Sequence, residues 1–189
     1  MRFTVIPGMH LSKLPLPTRI LVSLYVVSVF AALAVGSLKY TQRAEFTPSG
    51  ATRYWHGDAE AGDGLDALER GAPPPPEKKS DRYLVDVVHP HLFTVPVVLF
   101  LLLHLLSLTR LPDAAKIAFH VHAFASLAAT FGLPFLVAAS GSGGTGFVVA
   151  GANLLLSFVG VGAILLFETW FPRARPPESA DDLTARKER

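Results

Sequence analysis

The chain has 189 residues, 50% of them hydrophobic and 17% charged, with a formal net charge of +2 and no cysteine. A mean hydropathy of +0.39 excludes a disordered chain, a collagen-like chain and an ordinary soluble domain, because only a surface that faces lipid calls for such a value. The charge surplus is too small to neutralise nucleic-acid phosphates, and the missing cysteines exclude disulfides, thiolate zinc sites, iron–sulfur clusters and covalently attached c-type haem.

About 20 apolar residues cross a bilayer at 1.5 Å rise each. The N-terminal segment, residues 1–19, carries Arg2, Lys13 and Arg19 and no acid. The first uncharged run is Ile20 to Leu38. It is longer than a typical signal-peptide core, so an uncleaved anchor is expected despite a passable cleavage site at Ala34-Val-Gly36. Residues 39–83 follow as a polar segment with an aromatic island at Tyr54-Trp55-His56 and a run of prolines from Pro73 to Pro76. A short amphipathic turn is expected at Asp66 to Arg70, a polyproline strut at the prolines, and an N-cap at Ser80 or Asp81. The segment reads as a loosely ordered loop.

The second span is Leu84 to Leu108, the third Ala114 to Ala139 and the fourth Phe147 to Phe167. Trp170 beside Phe171 suits an interfacial anchor. The charged, proline-containing tail, 172–189, reads as disordered. The expected fold is therefore an all-α membrane protein, a four-transmembrane-helix bundle over residues 20–171. Lys and Arg in the short segments place both termini and the 109–113 link in the cytoplasm, with the 39–83 loop and the uncharged Ser140–Gly146 link outside.

Five of the seven histidines lie in or at the ends of the second and third spans. Ionisable side chains in a membrane are costly and mark functional candidates. His104 lies about 9 Å from the inner boundary, and His120 and His122 lie at a similar depth on the next helix. That geometry suits a bis-histidine haem b or a single metal. At about 100° per residue, His122 shares its face with Ala118, Ala125 and Ala129, whereas His120 shares its face with Phe124, Leu127 and Phe131. The small residues leave room for a macrocycle, so His122 is the favoured partner of His104 and His120 the second choice.

The outer pair is His89 and His91. The rise from His91 to His104 is about 20 Å, a spacing that two stacked haems would use. No histidine lies in the outer halves of the other spans, so an outer haem needs His56, a second copy of the chain in a homodimer, or a partner subunit. A copper or zinc site from His89, His91 and His56, aided by Asp86, is the alternative. The P-loop, HExxH and GxSxG motifs are absent.

The stretch His89-Pro-His91-Leu-Phe, continuing through Pro96 to His104, resembles a poorly characterised group of small four-helix bacterial inner-membrane proteins. The resemblance extends to Leu14-Pro-Leu-Pro-Thr-Arg19, to Tyr54-Trp55-His56-Gly57-Asp58 and to Leu165-Leu-Phe-Glu168-Thr-Trp170. It implies a multi-pass inner-membrane protein associated with respiratory or other electron-transfer machinery, with haem as a cofactor. Three functions follow as expectations. One is a haem b protein passing electrons between a quinone or redox partner and the outside. The second is a non-catalytic accessory or assembly subunit, and the third is a periplasm-facing copper or zinc protein.

Overall fold

A computed structural model describes residues 10–58 and 76–171. Within them a 3-10 turn at Leu11–Lys13 is followed by five helices: α1 (Leu16–Ala44), α2 (Pro48–His56), α3 (Asp81–Ser107), α4 (Asp113–Ser140) and α5 (Gly144–Trp170). The expected amphipathic turn at Asp66–Arg70, most of the proline run and the tail lie outside the described residues.

Helices α1, α4 and α5 contain the first, third and fourth expected spans, and α3 starts three residues before the second and ends one residue short of it, at Ser107. The protein is an integral, multi-pass membrane protein with a transmembrane helical domain. The reason is visible in which apolar residues are exposed. Leu21, Leu24 and Val27 on α1, Phe93, Val97 and Phe100 on α3, and Val121 on α4 all face outward. In water such a surface would aggregate; in lipid it costs nothing. The bundle buries a narrower seam of Val26, Leu99, Leu102, Leu106, Val161 and Leu165.

Helix ends follow local chemistry. Pro15 and Pro17 open α1 and Pro112 precedes α4, where a missing N–H costs nothing. Ser80 caps α3, its Oγ accepting from the Tyr83 N–H at 3.3 Å. Gly141, at φ 67°, ends α4 in the left-handed conformation that glycine adopts without penalty.

The segment after α1 is more ordered than expected. Residues Pro48–His56 form α2, capped by Thr47, whose Oγ1 accepts from the Gly50 N–H at 2.9 Å. Helix α2 lies across the end of the bundle and buries Ala51 and Trp55 against Leu84, Val137, Ala138 and Phe147. Its neighbours come close because Gly50 and Gly144 have no side chain. A Cβ on Gly50 would collide with the Ala44 carbonyl, and one on Gly144 with the Pro48 carbonyl. The segment before α3 is tied down too, with Asp58 N donating to Pro76 O at 3.1 Å and Lys79 N to Trp55 O at 3.0 Å.

Candidate functional site

The four spans are not packed evenly. Near the chain-terminal end α1 leans tightly on α5: a Cβ on Gly162 would meet the Phe30 ring at 2.6 Å and Val26 at 3.0 Å. Arg19 lies over the Trp170 ring at 4.5 Å, and Trp170 Nε1 donates to Ser23 Oγ at 2.8 Å. Toward the α2 end the helices part. Gly36 on α1 and Gly151 on α5 face open space, with nothing within 4 Å of a built Cβ. Between them and α3 and α4 lies a cavity of about 660 Å³, within the range of about 300–1,000 Å³ usual for small-molecule sites.

The cavity has a floor, a roof and a polar wall. At the floor Tyr25 reaches from α1 to α3, its hydroxyl donating to Val98 O at 3.0 Å. The roof is aromatic: Tyr40 meets Phe46 edge-on at 4.5 Å and Phe147 at 5.9 Å. The polar wall is His91 and Thr94 on α3 and Thr130 on α4. His91 lies about 15 Å along α3 from Asp81, and Val98 about 25 Å, so these groups sit within the apolar span rather than at its ends. Among the described residues no Lys, Arg, Asp or Glu lines the cavity.

His91 follows Pro90, which has no N–H and cannot continue the backbone ladder. Its Nδ1 donates to the Val87 carbonyl at 2.7 Å. In the neutral ring that bond fixes the proton on Nδ1 and leaves Nε2 with a free lone pair.

The other candidate histidines are dispersed. His104 is exposed on the outside of α3, its ring stacked on Phe100 at 6.0 Å. His122 is exposed on α4. His120, the second choice by residue pattern, is the one that meets α3: its Nε2 donates to Leu103 O at 3.3 Å. The expected facing of His104 and His122 therefore changes. The bulky face of α4 packs on α3, and the alanine face carrying His122 does not.

His89 packs edge-on against Phe93 at 5.4 Å and lines a separate groove of about 500 Å³ between α3 and α4. Phe131 stands between that groove and the cavity that holds His91. His56 donates from Nδ1 to Ala138 O at 2.8 Å, at the end of α4. The copper or zinc set of His56, His89 and His91 is accordingly corrected. Among the described residues no three His, Cys, Asp or Glu side chains come together to hold a metal ion, and Asp86 is exposed.

Residue-by-residue reading missed Tyr25, Thr94, Thr130, Gly36 and Gly151. Neutral hydroxyls and glycines carry little weight in a search for charge or metal ligands. The one signal available was that polar hydroxyls, Thr94 and Thr130, recur in the α2-proximal halves of two neighbouring spans.

The sequence model of a transmembrane helical domain family matches residues 45–176. The chain belongs to that family. The matched region begins where α1 ends, so it covers α2 to α5 and leaves out the helix that closes one side of the cavity. No curated protein and no solved structure matches the chain.

Proposed function

We propose that the protein works inside the bilayer as a ligand-binding membrane subunit, taking a neutral and largely apolar molecule from the lipid into the cavity between α1 and α3–α5. The observation that carries this is the cavity itself: apolar walls, a few convergent polar groups within the span and, among the described residues, no charged side chain. Burying an unmatched charge there would cost several kcal/mol, on the order of the penalty for any unpaired ion in a membrane. A neutral head avoids it.

An electron-transfer role stays within this reading, because quinones are neutral, apolar-bodied carriers. Haem b suits the cavity less well. Among the described residues His91 is the one imidazole on its wall, and two propionates would find no Lys or Arg there.

The test uses the intact protein purified in detergent. Solvent extraction and mass spectrometry should recover a defined apolar compound in a fixed ratio to protein. Gly151→Phe projects a ring into the open space and should strip most of that compound while leaving elution and helicity unchanged. Equal ligand content in both proteins would overturn the reading. A visible spectrum of the same sample, oxidised and reduced, checks haem directly: a reducible Soret band lost in His91→Ala would replace the neutral ligand with haem.

A further inference from the structure

Only Glu45, Phe46 and Thr47 join α1, which ends at Ala44, to α2, which begins at Pro48. Gly50 of α2 lies against the Ala44 carbonyl, so the chain must turn back on itself within that short joint. It does so with two successive residues in the left-handed region, Glu45 at φ 56° and Phe46 at φ 51°. No other non-glycine residue among the described residues has a positive φ. Glu45 follows the last residue of α1, a position where glycine or asparagine is the ordinary choice. For a side chain as bulky as Phe46 such a φ is a true outlier. Strain of this kind persists only where the surroundings hold it, and it gathers at switches and ligand clamps.

The strained joint is also part of the cavity. Phe46 lines it and meets Tyr40 edge-on at 4.5 Å, yet 42% of Phe46 stays exposed, so the ring is a thin cover. The Tyr40 hydroxyl is buried with no hydrogen-bond partner among the described residues, a second cost of the closed form. Beyond the cover lies water rather than lipid. Lys39, Gln42, Arg43 and Glu45 precede Phe46, past the uncharged run that ends at Leu38. The far end of α2 is pinned, by the hydroxyl bond of Tyr54 with Tyr83 at 3.0 Å and by the His56 bond to Ala138 O at 2.8 Å. The part left to move is the joint. We propose that the Glu45–Phe46 joint is a gate: Phe46 closes the α2 end of the cavity while the joint is strained, and swings aside when the joint relaxes, opening the cavity to water. Opening releases both left-handed residues and hydrates the Tyr40 hydroxyl. The gate concerns access alone, and it holds whatever the cavity binds.

The test uses the full chain in nanodiscs, where both faces meet solvent. The chain has no cysteine, so Gly36→Cys places a single thiol in the open space of the cavity. Gly151→Cys serves the same purpose from α5 if the first variant fails to fold. The thiol is labelled with a charged, membrane-impermeant thiosulfonate and, separately, with a lipid-soluble maleimide. Adding Phe46→Ala should speed the charged reagent and leave the lipid-soluble one unchanged. Glu45→Asn eases the left-handed turn and should slow the charged reagent about threefold to tenfold. Glu45→Ala keeps the strain and, like Glu45→Asn, loses only the exposed Arg53 contact; its rate should stay that of the unaltered joint. Tyr40→Phe removes the unpartnered hydroxyl and should slow the charged reagent as well. No acceleration by Phe46→Ala, or an equal acceleration of both reagents, would overturn the gate. So would equal rates for Glu45→Asn and Glu45→Ala, or faster labelling in Tyr40→Phe, because the closed form would then store no strain.

Discussion

His91 gives its Nδ1 proton to the carbonyl of Val87, one turn back along α3, at 2.7 Å. His120 on the neighbouring helix does the reverse, donating from Nε2 to Leu103 O at 3.3 Å. Two histidines on adjacent spans thus hold opposite tautomers, each set by a backbone carbonyl. Solid-state NMR of the ¹⁵N-histidine-labelled protein at neutral pH should resolve them. We expect a protonated Nδ1 for His91 and for His56, and a protonated Nε2 for His120, assigned by single His→Gln replacements. An Nε2-protonated His91 would remove the free acceptor from the cavity.

The docking of α2 onto the bundle depends on the absence of one side chain. Gly144 opens α5 directly under Pro48, and a Cβ there would collide with the Pro48 carbonyl and lie against Thr52. Backbone cannot move aside as a side-chain tip can. Gly144→Ala should therefore destabilise the α2 end by about 1–3 kcal/mol, the usual cost of overpacking, and expose the chain around Arg53 to trypsin. Gly146→Ala is the control, since its nearest neighbour is a Leu133 methyl at an ordinary 3.6 Å. Equal protease sensitivity of the two variants would show that α2 is not held this way.

The four spans were legible because each is a run of apolar residues long enough to cross a bilayer, and nothing local competes with that reading. Helix α2 was harder. Thr47-Pro48 is a helix-start signal, an N-cap followed by proline at the first position. The helix nevertheless has only nine residues and is held by burial of Ala51 and Trp55, which a loop-like composition conceals. The site was legible in part. His91 was a candidate as half of the outer pair with His89, about 20 Å from His104, but the pairing of His104 with His122 followed residue size on α4. The structure instead packs Phe119, Leu127 and Phe131 into the bundle. Which face of an apolar helix meets its neighbours is set by ridge-and-groove fit, and both faces here are greasy enough to serve. The cavity could not be read at all, because it arises from two glycines on helices far apart in sequence.

Tyr54 on α2 shares a 3.0 Å hydrogen bond with Tyr83 on α3, with Lys79 over both rings at 5.5 and 5.3 Å. Burial, chiefly, and then the hydrogen bond and charge of Tyr83 push the Tyr54 phenol above its ordinary 10.0, against a smaller opposing effect of Arg43. The unfolded chain therefore loses this proton first as pH rises. The stability linked to Tyr54 is fully present below pH 10 and declines as pH climbs through the raised value. Denaturation of the detergent-solubilised protein between pH 9 and 12 should show a steeper loss in the unaltered protein than in Tyr54→Phe. Parallel curves would mean that the phenol is not perturbed on folding.

At the other end of the bundle, Trp170 adds a polar fastening of α1 to α5. Trp170 donates its indole N–H to Ser23 Oγ at 2.8 Å and carries Arg19 over its ring at 4.5 Å. The indole is exposed, so each contact is of modest strength, about 0.5–1.5 kcal/mol for the hydrogen bond and about 0.5–1 kcal/mol for the cation–π pair. They add to the packing of Val26 and Phe30 against Gly162 and to the Tyr25 bond to Val98. One side of α1 faces lipid, and the cavity separates much of its other side from α3. Trp170→Phe keeps an aromatic face for Arg19 but removes the donor, and Trp170→Leu removes both. We expect the midpoint of thermal unfolding to fall in the order unaltered, Phe, Leu. A spin-label pair at the outward-facing residues 24 and 163, which leaves Ser23 in place, should broaden in distance distribution in the same order. If α1 is held instead by the Gly162–Phe30 contact alone, both variants will keep the distance of the unaltered protein, and Gly162→Leu will be the one that releases the helix.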